Sequence, residues 1–189
     1  MPRTGIRLPE TAALIIIDVQ TAIDAPVWQT YGTRNNPGAE QTMAMILQLW
    51  RKTGRPVIHV RHESREVLST YQSSPFKECV APIAGETILA KQVHSAFIGT
   101  RLEAILHAAG ITHIVVFGVI TNNSVEATVR MAGNLGFTTY LVEDACFTFA
   151  RPDYSGILRS AEEVHAMSLA NVSEEYCAVL SAAQLATML

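Results

Sequence analysis

The stretch HIVVFGVITNNSVEATVRMAGNLGF, residues 113–137, decides the fold of this chain. It opens on an uninterrupted apolar run, which is typical of a central parallel strand covered on both faces. A turn of Gly, Thr and Asn follows, and the pattern then predicts a helix over 123–135, closed by Gly136. Many enzymes present a nucleophile on such a strand, turn and helix, and Ser124 stands in the presenting position.

The same alternation of strand and helix runs through the whole chain. The patterns predict strands at 12–18, 56–61, 86–92, 113–118, 138–144 and 175–181, and helices at 40–54, 99–110, 123–135, 155–171 and 181–189. Residues 62–85 are predicted as a long excursion loop, and loops of that length are usually functional or mobile. Repeated strand–helix units predict an α/β fold, a three-layer α/β/α sandwich with a mainly parallel central sheet. We expect one domain over residues 1–189.

Composition and charge narrow the class of protein. The 189 residues are 49% hydrophobic and 16% charged, with a net charge of −3 and no basic run, so no nucleic-acid partner is expected. No apolar stretch reaches the roughly 20 residues of a membrane span, and the first ten residues lack an apolar signal core. We therefore expect a cytoplasmic protein with no membrane partner. The widely spaced Cys79, Cys146 and Cys177 argue against a zinc ribbon or a disulfide scaffold.

Three polar residues are predicted to meet at one edge of the sheet. Asp18 ends the first apolar strand, Lys91 ends a weaker one, and Gly118 ends the strand before Ser124. Ligands of such sheets bind beyond the carboxyl ends of the strands, so these loops should converge. Taken singly, each residue also has a structural interpretation. Asp18 can cap a turn, Lys91 can extend to solvent, and Ser124 can cap a helix.

Taken together, the motifs resemble the isochorismatase-like cysteine hydrolases. The resemblance rests on ALIIIDVQ (13–20), ILAKQVHSAFIGTRLEAIL (88–106), VVFGVITNNSVEATVRMAGNLGF (115–137) and VEDACFTF (142–149), in the family's order over nearly the whole chain. It implies a central parallel sheet and a catalytic triad of Asp, Lys and Cys. Asp18 matches the Asp and Lys91 the Lys, while Ser124 falls where the Cys belongs.

The resemblance implies hydrolysis of a small amide, ureido or related C–N bond through a covalent intermediate. The Asp serves as base and the Lys stabilises charged groups. It also implies a cis peptide bond between Val119 and Ile120, with the N–H groups of Ile120 and Ser124 facing the oxyanion. A serine hydroxyl is too weakly acidic to ionise in such a site, so we expect little turnover of a Cys-dependent reaction.

Three accounts of Ser124 stay open at this stage. The natural protein carries a cysteine and this chain is an engineered variant. Alternatively, the serine is natural and Asp18 acts as an acid on a vinyl ether, which the resemblance implies for true isochorismatases. In the third account the chain is a non-catalytic relative that binds a small molecule. Cys146, at the end of the following strand, is a weak candidate for a replacement nucleophile.

The resemblance also bears on metals. Metal-dependent members carry an Asp and two His after the second strand. Here His59 and His62 stand in VIHVRHES, without the Asp-x-His pattern, so we expect no metal and no other cofactor.

Substrate contacts and subunit contacts are expected outside the triad. Gln20 is expected to contact the substrate or Lys91, and Arg61 to bind a substrate carboxylate unless it forms an ordinary ion pair. Aromatic side chains are expected to wall the pocket for a small-molecule substrate, namely Trp28, Tyr31 and Phe149. The apolar segment 160–171 and the resemblance predict a homo-oligomer, a dimer or a tetramer.

Overall fold

A six-stranded parallel sheet forms the centre of the computed structural model, which describes residues 7–189. The strands are β1 (Ala13–Ile17), β2 (Val57–His62), β3 (Thr87–Lys91), β4 (His113–Val119), β5 (Thr138–Phe147), β6 (Arg151–Pro152), β7 (Leu158–Arg159) and β8 (Ala178–Leu180). The helices are α1 (Ala39–Lys52), α2 (Leu102–Ala108), α3 (Glu126–Asn134), α4 (Ala161–Val172) and α5 (Ala182–Ala186). The sheet order is β3-β2-β1-β4-β5-β8, and β6 and β7 form a separate antiparallel hairpin.

This architecture confirms the predicted α/β class. Every residue of β1 is buried, as its wholly apolar sequence predicts for a central parallel strand. Helices cover both faces of the sheet, with α1 packed against α5 and α3 against α4. Within residues 7–189, no helix has the length and apolar character needed to cross a membrane.

Several predicted bounds are wrong, most clearly at α4. The helix predicted over 155–171 begins only at Ala161, because residues 151–159 form the β6–β7 hairpin. A capping box fixes the start of the helix. Ser160 Oγ accepts from the Glu163 N–H at 3.1 Å, and the Glu163 carboxylate accepts from the Ser160 N–H at 2.7 Å.

Other elements differ from their predicted lengths in both directions. The strand predicted to end at 144 runs to Phe147, while the last strand and the last helix are shorter than predicted. The excursion 62–85 has one short 3-10 helix, Glu78–Val80, and its backbone bonds to the segment after β1. Thr21 N–H donates to Pro75 O at 2.9 Å, and Lys77 N–H donates to Val19 O at 3.0 Å. The excursion therefore covers the carboxyl end of β1.

Gly118 permits a close approach of β4 to β1 at the same edge. Its φ is +145°, and a Cβ at this position would lie 2.1 Å from the carbonyl oxygen of Ile17. Only glycine adopts this backbone without a clash. The approach places the turn after β4 directly beside the end of β1.

Candidate active site

Asp18, Lys91 and Ser124 come together at the carboxyl edge of the sheet. Asp18 follows β1, Lys91 ends β3, and Ser124 lies in a π-helical turn, Thr121–Val125, between β4 and α3. Lys91 Nζ donates to Asp18 Oδ2 at 2.6 Å and to Ser124 Oγ at 3.2 Å. The exposed fractions are 3% for Asp18, 1% for Lys91 and 6% for Ser124. The structure thus joins the three residues in one buried cluster.

Burial shifts both charged members of this cluster toward their neutral forms. Burial raises the pKa of Asp18, against the attraction and the hydrogen bond of Lys91. Burial also lowers the pKa of Lys91, against the attraction of Asp18. Asp18 Oδ1 is buried without a hydrogen-bond partner in the described part of the chain. Asp18 is therefore a carboxyl of raised basicity with one oxygen free to take a proton.

The backbone of Asp18 is itself unusual. Its φ is +55°, in the left-handed region that Asp tolerates better than most residues. Its N–H still donates to Val60 O at 2.9 Å, so the residue stays anchored to β2. Left-handed residues of this kind cluster at functional sites.

Ser124 is not a helix cap. The helix α3 begins at Glu126, and no side chain makes a capping hydrogen bond at its start or at the start of the preceding turn. The structural interpretation of Ser124 as a capping residue is therefore wrong. The peptide bond between Val119 and Ile120 is cis, directly before this turn.

Gln20 makes its hydrogen bonds with the excursion and with β2. Gln20 Nε2 donates to Ser74 O at 2.8 Å and to His62 O at 3.2 Å, and its Oε1 accepts from the His62 N–H at 2.7 Å. Its amide thus holds the excursion and β2 against the end of β1, and it makes no hydrogen bond with Lys91.

Arg61 forms an ordinary ion pair, as the alternative interpretation held. Its Nη2 lies 2.5 Å from Glu63 Oε1 and donates to Ser74 O at 3.2 Å. Successive side chains of a strand point to opposite faces, so Arg61 and His62 leave β2 on different sides. Because His62 pairs in register with Lys91, Arg61 lies on the side opposite to the ammonium group.

Two of the three predicted aromatic residues, Trp28 and Phe149, connect to the cluster through Tyr71. Trp28 stacks on Phe149, with ring centroids 6.2 Å apart, and meets Tyr71 edge-on at 6.0 Å. The Tyr71 hydroxyl lies 3.4 Å from the carbonyl oxygen of Asp18, which brings this aromatic group to the edge of the triad. Tyr31 is 53% exposed and lies outside it.

Sequence reasoning placed His62 at the carboxyl edge without giving it a role, and it missed Tyr71 as a neighbour of the triad. The strand of His62 lies between those of Lys91 and Asp18, and its ring meets Tyr71 edge-on at 5.6 Å. Burial, then Lys91, lowers the pKa of His62, and its buried Nδ1 finds no partner within residues 7–189. Its position at the carboxyl end of β2 was the available signal. Tyr71 carried none, since it lies in the excursion.

The remaining histidines and cysteines take separate places. His59 Nε2 lies 2.8 Å from Glu86 Oε2, away from His62. Across residues 7–189, no three His, Cys, Asp or Glu side chains gather as a group that could hold a metal ion. Burial raises the pKa of the Cys146 thiol to about 12, and that of Cys177 to about 12. Burial therefore disfavours the thiolate that nucleophilic attack requires at both positions.

Known proteins are similar to this chain in sequence and in fold. The isochorismatase domain model matches residues 12–184. The isochorismatase family protein YrdC of Bacillus subtilis is 41% identical over 182 residues, covering 94% of this chain and 96% of its own. Maleamate amidohydrolase of Pseudomonas putida is 30% identical over 150 residues, 70% of each chain. A crystal structure of an isochorismatase-family protein from Chromobacterium violaceum is 53% identical, with a TM-score of 0.94, and covers 100% of this chain and 98% of that chain.

A parallel sheet in the order β3-β2-β1-β4-β5-β8, with polar residues gathered at its carboxyl edge, defines an α/β protein of the isochorismatase-like class. The domain match covers more than nine-tenths of the chain's length, and YrdC matches 94% of the chain. The chain belongs to the isochorismatase family of hydrolases.

Proposed function

We propose that this site hydrolyses a small amide or ureido C–N bond, with the side chain at position 124 as the nucleophile. The observation that carries the proposal is the shared ammonium group. Lys91 Nζ contacts both Asp18 Oδ2, at 2.6 Å, and Ser124 Oγ, at 3.2 Å, inside a buried site. The similarity to maleamate amidohydrolase, an enzyme named for an amide substrate, supports this reaction class.

The proposed reaction gives each group a step. Lys91 donates to Ser124 Oγ, which leaves the hydroxyl hydrogen free to face the unpartnered Oδ1 of Asp18. Asp18 takes this proton as the oxygen attacks the substrate carbonyl carbon. The backbone N–H groups of Ile120 and Ser124 are the proposed donors to the oxyanion.

The second half of the reaction returns the proton. The tetrahedral intermediate expels the nitrogen, which receives its proton from Asp18, and an acyl-enzyme ester remains. A water molecule then attacks the ester, gives its proton to Asp18, and releases the carboxylic acid as the hydroxyl of position 124 is restored. Lys91 stays charged throughout and offsets the negative charge that develops beside it.

The atom at position 124 sets the rate. A thiol beside an ammonium group, at the start of a helix, has a depressed pKa and attacks as the thiolate. A hydroxyl gains far less, because it must lose its proton during the attack. We therefore propose slow turnover for the serine form and rapid turnover for Ser124→Cys, in a pocket of nearly the same shape.

A second candidate is the hydrolysis of a vinyl ether, with Asp18 as the acid. The raised pKa of Asp18, caused by burial, favours a protonated carboxyl that can donate to the substrate. This reaction needs no nucleophile at position 124. It predicts activity of the serine form that Asp18→Asn abolishes.

The experiment compares the serine form with Ser124→Cys on small amides, including maleamate, small ureides and a vinyl ether. Intact mass measurements follow acylation, and Asp18→Asn in the Ser124→Cys background is the matched control. Turnover or an acyl adduct that appears with cysteine and vanishes with the control supports amide hydrolysis. Activity on the vinyl ether alone, equal in both forms, supports the second candidate. Ligand affinity without turnover in either form points to a binding protein.

A further inference from the structure

The helix α4 turns polar residues inward. Its buried positions are Ala161, His165, Ser168 and Val172, while Met167 on the outer side is 63% exposed. A helix that packs on a core normally buries an apolar stripe and exposes its polar face. Two of these four inward residues are polar, and buried polar groups in proteins usually have hydrogen-bond partners. The contacts of these two residues therefore indicate what α4 does.

Both residues hold the turn that carries Ser124. His165 Nδ1 lies 2.8 Å from Thr121 Oγ1, at the first residue of the turn. Ser168 Oγ donates to Glu126 Oε2 at 2.6 Å, directly after the last residue, and lies 3.2 Å from Thr121 O. The five-residue turn is thus tied to α4 at both of its ends.

We propose that His165 and Ser168 are positioning residues, which fix the Thr121–Val125 turn so that the side chain at position 124 stays within reach of Lys91. The proposal rests on the proposed function for the role of position 124, but its test needs no substrate. A displacement of about 1 Å in a reacting group can cost about 100-fold in rate. We therefore expect the hydrogen bonds of His165 and Ser168 to affect the reactivity of position 124 more than the stability of α4.

His165 acts through position rather than through charge. Burial, against the attraction of Glu162, lowers the pKa of His165 and favours the neutral ring, which carries no charge to the nucleophile. A change at His165 that alters the reactivity of position 124 therefore reports movement of the turn. Ser168 adds a hydrogen bond to the Glu126 carboxylate, which also pairs with Arg130 on α3 at 2.9 Å.

The test measures the reactivity of the thiol in Ser124→Cys, with and without the hydrogen bonds between the turn and α4. Alkylation by iodoacetamide is followed across pH 6 to 9, and hydrogen exchange of residues 120–126 is followed by mass spectrometry. His165→Leu removes the hydrogen bond at similar volume, and we expect alkylation at neutral pH to change by about 3- to 10-fold, with faster exchange in the turn. His165→Asn, which keeps a polar group near Nδ1, should restore most of both readouts.

A double-mutant cycle links the two partners directly. Thr121→Val removes the hydroxyl that His165 contacts, so adding it to His165→Leu should have little further effect. Should His165→Leu fail to fold, Thr121→Val and Ser168→Ala give the same readouts through smaller changes. Additive effects of the two substitutions would mean that the residues act independently.

The control is on the same helix. Ser160→Ala removes the cap of α4 and destabilises the helix without touching the turn. It should leave alkylation and exchange unchanged. The proposal is overturned if Ser160→Ala changes both readouts as much as His165→Leu, or if His165→Leu changes neither. If no substrate is ever hydrolysed, the proposed function fails. Alkylation and hydrogen exchange still show whether His165 and Ser168 position the turn.

Discussion

Lys91 Nζ lies 2.6 Å from Asp18 Oδ2, although the strands of the two residues are not neighbours in the sheet. Strand β2 separates β3 from β1, so the lysine side chain reaches across the end of β2 to the carboxylate. Both side chains are buried, and the pair has lost most of its contact with water. Such a pair contributes little net stability, but removing one partner leaves the other charge buried alone.

Lys91→Met should therefore destabilise the protein by about 3–5 kcal/mol at neutral pH. Unfolding in urea measures the loss, and Lys52→Met, on the exposed end of α1, is the matched control. The double variant Asp18→Asn with Lys91→Met should lose much less than the sum of the single changes. An unfolding free energy of Lys91→Met equal to that of the control would contradict this account of the pair.

Glu86 should make stability depend on pH in acid. Burial alone would raise the pKa of Glu86, but hydrogen bonds from Arg51, the Ile83 N–H and His59 outweigh it and lower the pKa to about 2. A carboxyl with a lowered folded pKa stabilises the protein above its unfolded value of 4.5. That contribution is lost as the pH falls from 4.5 toward 2. Urea unfolding against pH should show this loss in the unsubstituted protein and not in Glu86→Gln.

The control for Glu86 is an exposed acid, Glu103, on α2. Glu103→Gln should keep the same decline in stability as the unsubstituted protein below pH 4.5. If Glu86→Gln keeps it as well, the decline belongs to other groups and the ion pair of Glu86 with Arg51 is not its source.

Gly118→Ala should destabilise the fold by more than about 2 kcal/mol, because the new Cβ would lie 2.1 Å from Ile17 O at a φ of +145°. Gly38→Ala, at a φ of −86° and with no atom within 4 Å of the new Cβ, is the matched control. Thermal unfolding compares the two. Equal melting temperatures would mean that β4 moves away from β1 at little cost.

The sequence predicts the sheet better than its connections. The strand–helix alternation and the wholly apolar β1 are local patterns, and they suffice for the fold class and for the three residues at the carboxyl edge. The start of α4 was predictable from Ser160 and Glu163, whose spacing is that of a capping box. The hairpin before it was not, because its two strands have only two residues each.

The contacts of the site residues lie beyond sequence reasoning. Gln20 bonds to His62 and Ser74, which are 42 and 54 residues away, so no local pattern encodes its role. His165 looks like a polar interruption of an apolar helix, and only the packing of α4 on the turn shows that Thr121 is its partner. The direction of Arg61 needed the register of β2 with β3.

The outer side of α4 and the neighbouring hairpin should bind a second copy of this chain. A groove between them is lined by Val164 and Met167, and the fully exposed Tyr154 stands at its edge. An interface between two identical copies needs a projecting group and a matching groove on one face, and this surface has both. Light scattering should find a homo-oligomer that Met167→Glu dissociates.

Met45→Glu is the control for that interface, since Met45 is an exposed methionine on α1. It should leave the oligomer intact. Dissociation by Met45→Glu and not by Met167→Glu would place the interface elsewhere on the protein. A monomeric protein would mean that there is no such interface.

The thiol of Ser124→Cys should ionise below the ordinary thiol pKa of about 8.5, because Lys91 Nζ lies 3.2 Å from the atom it replaces. Iodoacetamide alkylation against pH measures this pKa. A cysteine at the start of another helix distinguishes the effect of the lysine on the thiol pKa from the effect of the helix. Ser181 caps α5 away from the triad, so Ser181→Cys has the helix end without the ammonium group.

Lys91→Met in the Ser124→Cys background should then raise the thiol pKa toward that of Ser181→Cys, by about one unit or more. The sign follows from charge, since removing a cation beside a thiolate disfavours the ionised form. If Lys91→Met leaves the thiol pKa unchanged, the ammonium group interacts with Asp18 and does not stabilise the thiolate. Activation of the nucleophile would then depend on the carboxylate and on the turn that α4 holds in place.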